Sequence, residues 1–180
     1  MTARPSTRWS AARRLGNLGH LARRWAGSLS PRPPAPSDER WALGWLGPGE
    51  ATLWSRLSNP DRRHAIGVAR RVVDAAGPDV ERWIVAAALL HDCGKLDSGL
   101  GTSARVVATV WAGVRGRARA SRGRGRIARY LRHDEIGAGL LAQASADPRT
   151  IAWAGEHHRP ERTWTVPTSA GNLLRAADDD

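Results

Sequence analysis

The sequence predicts an all-α fold, and three observations predict it. Apolar residues fall at helical spacing in successive segments, as with Val68 and Val72 beside Ala65 and Ala69. Helix-starting signals such as Asn59-Pro60-Asp61 and Asp147-Pro148 precede those segments, and no credible run of alternating strand pattern occurs anywhere in the chain. The element that organises the rest spans residues 83–95, where an unbroken apolar run from Trp83 to Leu90 leads into His91, Asp92, Cys93, Gly94 and Lys95. A helix with no polar face must be buried on all sides. It therefore delivers His91 and Asp92 to the interior, where a cation would offset the cost of burying them, and Gly94 is expected to end it as a C-cap.

Taken in order, residues 1–36 carry seven arginines and no acid and close in a proline-rich linker, so they read as a basic arm separate from a domain at 37–180. Within the arm, Leu15, Leu18, Leu21, Trp25 and Leu29 suit a short basic amphipathic helix, while Gly16 and Gly19 suit a disordered segment. Ser37 with Asp38 and Glu39 signals the first helix of the domain. A break at Leu46-Gly47-Pro48-Gly49 precedes a short helix bearing Leu53, Trp54 and Leu57. Asn59 is the expected cap of the next helix, whose apolar stripe includes His64 and extends to Ala76. Gly77-Pro78 closes it, and Asp79 is expected to open the central helix. Beyond Lys95 the pattern gives a helix over about 103–114 and then residues 115–132, which hold eight arginines interleaved with glycines. That segment reads either as a solvated loop or as a polyanion contact. Order returns at Ile127, His133 opens a helix with Ile136, Leu140 and Leu141, and Asp147-Pro148 opens one that ends at Glu156-His157-His158. The last helix places Leu174 and Asp178 one turn apart.

The formal net charge of +11 comes almost wholly from arginine, Lys95 being the only lysine. Such a surface attracts phosphates, nucleic acid or anionic lipid, which implies weak, non-specific contact with nucleic acid or an anionic membrane. A single cysteine, Cys93, excludes an internal disulfide framework and suits a reducing compartment. No apolar run of 18 residues and no signal-peptide pattern is found, so a cytoplasmic protein is expected, with peripheral membrane attachment through the arm left open.

Five of the six histidines, His64, His91, His133, His157 and His158, lie on or beside apolar helical stripes. With Asp92 and Asp178 they offer a mixed nitrogen and oxygen donor set, which suits Fe, Mn, Zn or similar divalent ions better than Ca or Mg. Cys93 reads as packing.

The order of His64, the His91-Asp92 doublet with Cys93-Gly94-Lys95, and a late Asp178 resembles the HD superfamily of metal-dependent phosphohydrolases over about residues 50–180. The resemblance implies an HD-domain helical bundle. His133, within Arg132-His133-Asp134-Glu135-Ile136, and the pair His157-His158 resemble the added ligands of binuclear members, including the HD-GYP phosphodiesterases and the bacterial diadenosine tetraphosphate hydrolases. Carried over residue by residue, one divalent transition-metal ion takes His64, His91, Asp92 and Asp178. A second takes His133, His157 and His158, with Asp92 as the bridge. Spacing alone leaves Asp179 and Asp180 as alternatives to Asp178, which is preferred because it continues the Leu174 stripe and because Ala177-Asp178 matches the family pattern. The segment from Arg159 to Pro167 departs from the glycine-rich Gly-Tyr-Pro continuation of the HD-GYP proteins, which argues against cyclic di-GMP as substrate.

Two ions about 3.5 to 4 Å apart can hold a hydroxide at neutral pH for attack on a phosphoryl group. Asp92 and Lys95 complete the expected catalytic set, Lys95 as a point charge for a non-bridging phosphate oxygen. The implied function is hydrolysis of a nucleotide, dinucleotide or related phosphoester, with a phosphorylated small molecule as the substrate. The alternative from another class is a non-catalytic HD-fold binding or sensing module with a basic surface.

Overall fold

The computed structural model describes residues 31–98 and 125–179, and every regular element among them is helical. In chain order these are α1 (Pro36–Gly44), α2 (Pro48–Ser55), α3 (Asn59–Ala76), α4 (Arg82–Leu90), the short α5 (Lys95–Ser98), α6 (Arg126–Leu131), α7 (His133–Gln143), α8 (Pro148–Glu156) and α9 (Thr168–Asp179), with a 3-10 turn at Glu161–Thr163. The expected helix at 103–114, the arm helix, His20, Asp180 and most of the arginine-rich segment lie outside the described residues.

The core is built around α4. Every side chain from Trp83 to Leu90 is at most 9% exposed, and α4 packs against α3, α8, α9 and α2. Val85, Leu89 and Leu90 are fully enclosed, each stabilising the fold by roughly 1.5–3 kcal/mol. The buried faces of α3 (Ala65, Val68, Ala69, Val72), α8 (Trp153, Ala154) and α9 (Ala170, Leu174, Ala177) close around it. No described helix is long and apolar enough to cross a membrane.

Helix starts differ from the sequence expectation by a residue or two. The chain caps α1 at Ala35, α3 at Ser58 and α4 at Glu81, where the pattern points to Ser37, Asn59 and Asp79. In α1 a proline without an N–H takes the first helical position. In α3 the Ser58 hydroxyl accepts from the Asp61 backbone N–H at 3.3 Å, so the cap needs no longer side chain. Gly77, at φ 83°, closes α3 as expected. Ala76, placed on the apolar stripe by its spacing, is exposed because α3 has by then run past the core.

Gly94 has a different role from the expected cap. Helix α4 stops at Leu90 with His91 in a right-handed conformation at its end, and Gly94 is not among the residues of positive φ. A Cβ on Gly94 would overlap the carbonyl oxygen of His133 and lie 2.6 Å from the Gly137 backbone nitrogen. The absent side chain is what lets the turn after α4 touch the backbone of α7, and so what brings Asp92 up to His133.

The extended residues before α1 are fastened to the start of α3. Asn59 donates through Nδ2 to the Pro31 carbonyl at 2.8 Å, the Arg63 guanidinium donates to the Arg32 carbonyl, and Pro34 is buried. We therefore propose that the separable arm is shorter than residues 1–36. Removing residues 1–30 is expected to leave one cooperative thermal transition by circular dichroism. A broad or absent transition would show that the arm completes the core.

Candidate metal centre

Five parts of the fold converge beyond the C-terminal end of α4. Helix α3 brings His64, the turn after α4 brings His91 and Asp92, α7 opens with His133, and the end of α8 runs into His157 and His158. Helix α9 supplies Asp178 one turn after Leu174, which is 1% exposed. The Arg71 side chain fastens this last turn by donating to the Ala177 carbonyl at 2.7 Å.

Asp92 sits at the middle with its two oxygens facing opposite ways. Its Oδ2 lies 3.4 Å from His91 Nε2, while its Oδ1 lies 3.3 Å from His133 Nε2 and 4.0 Å from His157 Nε2. On the Oδ2 side, Asp178 Oδ1 is 3.0 Å from His64 Nε2 and 3.8 Å from His91 Nε2. On the Oδ1 side, the Nε2 atoms of His133 and His158 are 3.2 Å apart. The structure thus brings together all seven residues singled out as ligands, in two groups that could each hold a cation, His64-His91-Asp92 and His133-His157-His158. At the end of α9 the Asp178 oxygen meets His64 and His91, and Asp180 lies outside the described residues.

Three of the rings are held in one orientation by the helix backbone. The Nδ1 atoms of His91, His133 and His157 donate to the carbonyls three residues earlier, those of Ala88, Tyr130 and Ala154, at 3.0, 2.7 and 2.9 Å. A carbonyl can only accept, so each Nδ1 carries a proton and Nε2 is the ring atom left to face an ion. The Nε2 atoms of His91 and His157 are buried with no hydrogen-bond partner among the described residues. Buried polar atoms are seldom left in this condition, and a cation in each group would relieve it. The donor set therefore fits divalent metal.

A family model described as the HD domain of Cas3 matches residues 50–176. The chain belongs to the Cas3 HD-domain family. No curated protein and no solved structure matches it. The match begins at Glu50, in α2, and runs to Ala176, two residues short of Asp178, so it covers nearly all the helices that carry the centre.

Within this HD domain the electrostatics also anticipate a cation. Burial works against charge on His91, yet Asp92 and then Asp178 outweigh it and raise the imidazole to about 9. A proton thus occupies Nε2 near neutral pH. Burial has the opposite outcome at His157, where, with His91 and His158 close by, it pushes the ring down to about 2 and keeps it neutral. Burial also opposes ionisation of both carboxylates. Lys95 and His91 nonetheless hold Asp92 well below the usual carboxylate range, and the hydrogen bond between His64 and Asp178, joined by the nearby charge of His91, does the same for Asp178.

In the metal-free protein the His91 interaction stabilises the fold, fully below about pH 6.5 and progressively less as pH rises through about 9. An ion held by His91 would have to displace that proton. Ion affinity is therefore expected to rise with pH up to about 9 and binding to release protons, counted by calorimetry in buffers of different ionisation heat. Affinity that stays flat from pH 6.5 to 9 would show that His91 is not a ligand.

Lys95 is paired with Asp92 Oδ2, and burial of its ammonium is outweighed by that carboxylate, which raises it above its ordinary value. Cys93 is fully buried with its Sγ 3.6 Å from the Gly137 carbonyl, and burial pushes its thiol up to about 12, consistent with a packing role. A cavity of about 320 Å³ opens onto the centre, lined also by Val68, Trp153, Leu174 and Arg175.

Two residues that shape the site are absent from the sequence expectation. Glu156 is 7% exposed and accepts from the Thr165 N–H and hydroxyl at 2.7 and 2.8 Å, closing the loop that follows the two histidines. Arg175 lies three positions before Asp178 and so on the same face of α9, a spacing that could have flagged it.

Proposed function

We propose that this HD domain is a metal-dependent phosphohydrolase acting on a nucleotide, dinucleotide or related phosphoester. One divalent ion would be held by His64, His91, Asp92 and Asp178, and a second by His133, His157 and His158 with Asp92 shared. The observation that carries the reading is the convergence of three backbone-locked imidazoles on the two oxygens of one half-buried aspartate. Bound divalent ions supply Lewis-acid charge for a phosphoryl group and an activated water as nucleophile near neutral pH. No protein serine or cysteine has to attack.

The chain's own part is to hold and neutralise. Asp92 aims one oxygen at each histidine group, and the His64 hydrogen bond keeps Asp178 ionised toward the first of them. The carbonyls of Ala88, Tyr130 and Ala154 fix the rings before any ligand arrives, which spares the cost of ordering them on binding. Lys95, about one-fifth exposed, is tethered to Asp92 at the edge of the centre. From there its ammonium can turn to a phosphate oxygen as a point charge. No member of the donor set has been lost from the cluster, which weighs against a module that only binds.

The test is a panel of phosphoesters, run with Mn or Fe added to the purified protein. Turnover of at least one ester is expected, and His133→Ala and His157→Ala should each lower metal content toward one ion per chain. Their rates should fall at least about a hundredfold, while thermal stability falls far less than loss of a structural metal would require. Loss of folding in step with loss of rate would mark the metal as structural.

A further inference from the structure

We infer that Arg175 binds a second phosphate of the substrate, next to the one that is hydrolysed. The inference rests on the phosphohydrolase reading of the centre and adds what the substrate must carry. Arg175 lines the same cavity as His91, His157, His158 and Asp178. It stands one helical turn before Asp178 on α9, so its side chain reaches the space beside the proposed ions rather than the ions themselves.

Its guanidinium is held in place from two sides. It lies over the Trp164 ring at 4.1 Å and donates through one NH2 group to the Arg159 carbonyl at 2.8 Å. Trp164 is itself fixed, its indole N–H shared between the Glu156 and Arg159 carbonyls at 3.1 and 3.2 Å and its ring edge-on to Trp153 at 5.2 Å. One donor is used in this clamp, and a guanidinium has five. The remainder of the fork is presented by a side chain that has already given up most of its rotamer freedom, as two-point recognition of phosphate favours.

Charge and space point the same way. Among the described residues that line the cavity, the other ionisable groups are imidazoles of the centre and the carboxylates of Asp178 and Asp179, and Arg175 contributes the only guanidinium. An anion entering past two aspartates needs that counter-charge. The cavity, at about 320 Å³, has room for on the order of ten waters, far more than a single phosphate requires.

The experiment titrates inorganic phosphate and pyrophosphate into the full-length, metal-loaded protein by calorimetry, with metal content measured before and after. Wild type is expected to bind pyrophosphate at least tenfold more tightly than phosphate. Arg175→Gln should erase that difference while phosphate affinity and metal content stay as they were, and Arg175→Lys, a point charge without the fork, should restore only part of it. If Arg175→Gln does not fold, Arg175→Lys alone must show a reduced preference with unchanged phosphate binding.

A tenfold preference that survives in Arg175→Gln, an equal loss for both anions, or no preference in wild type overturns the inference. The two readings fail separately. Pyrophosphate preference without turnover of any ester would sink the hydrolase and leave the anion site, and turnover without the preference would do the reverse.

Discussion

Asp92→Asn is expected to abolish phosphoester hydrolysis, by at least about a thousandfold, and to remove both ions, while the protein stays folded. The aspartate is the one residue whose two oxygens face both histidine groups, at 3.4 Å from His91 on one side and 3.3 Å from His133 on the other. Asparagine keeps the shape and removes the charge. One of its two terminal atoms becomes an NH2 group, which cannot coordinate and which points a positive dipole at whichever group it faces, so both positions weaken together. The cost to folding is smaller. Asp92 also neutralises Lys95, but that side chain is 20% exposed and can turn to solvent instead of remaining as a buried unpaired charge. His91 loses its nearest carboxylate and titrates lower than in wild type. Metal analysis with thermal denaturation checks this directly, and wild-type metal content in a folded Asp92→Asn protein would remove Asp92 as the bridge.

Gly94→Ala is expected to lower stability by on the order of 2–4 kcal/mol, although Gly94 touches no ligand atom, together with loss of metal on the His133 side. The added Cβ meets backbone, the His133 carbonyl and the Gly137 nitrogen, and backbone cannot move aside as the tip of a flexible side chain would. The turn after α4 and helix α7 must separate. That carries Asp92 away from His133, whose ring is tied to the last turn of α6 through the Tyr130 carbonyl. A lowered denaturant midpoint at unchanged slope, with metal content falling toward one ion per chain, is the expected result. Wild-type stability and metal content would mean that the approach of the two segments is looser than the structure shows.

The residue types of the centre were legible because they are chemically unusual where they stand. An unbroken apolar run that ends in His91 and Asp92 can only be a buried helix delivering polar groups to the interior, and the structure has that helix at the middle of the core. The stripe on α3 pointed His64 inward by period, and in the structure its ring is half-buried against Asp178. What sequence did not contain was how the donors are oriented. The proton positions on His91, His133 and His157 follow from carbonyls three residues earlier, which every residue possesses and no pattern marks. Gly94 looked like a helix stop because glycine commonly is one, and its actual use depends on a second helix more than thirty residues later. Arg175 stood in plain view beside Asp178, but only the stacking of Trp164 and the shape of the cavity give its charge a purpose.

The central claim is that these seven side chains form one centre for two ions around a shared Asp92. The most direct measurement is the ion stoichiometry of the purified wild-type chain, by mass spectrometry of total metal after loading with Mn or Fe and removal of unbound ion. The account predicts two ions per chain in wild type and close to none in Asp92→Asn. A wild-type protein that carries no transition metal, takes none up and is unaffected by Asp92→Asn would contradict it.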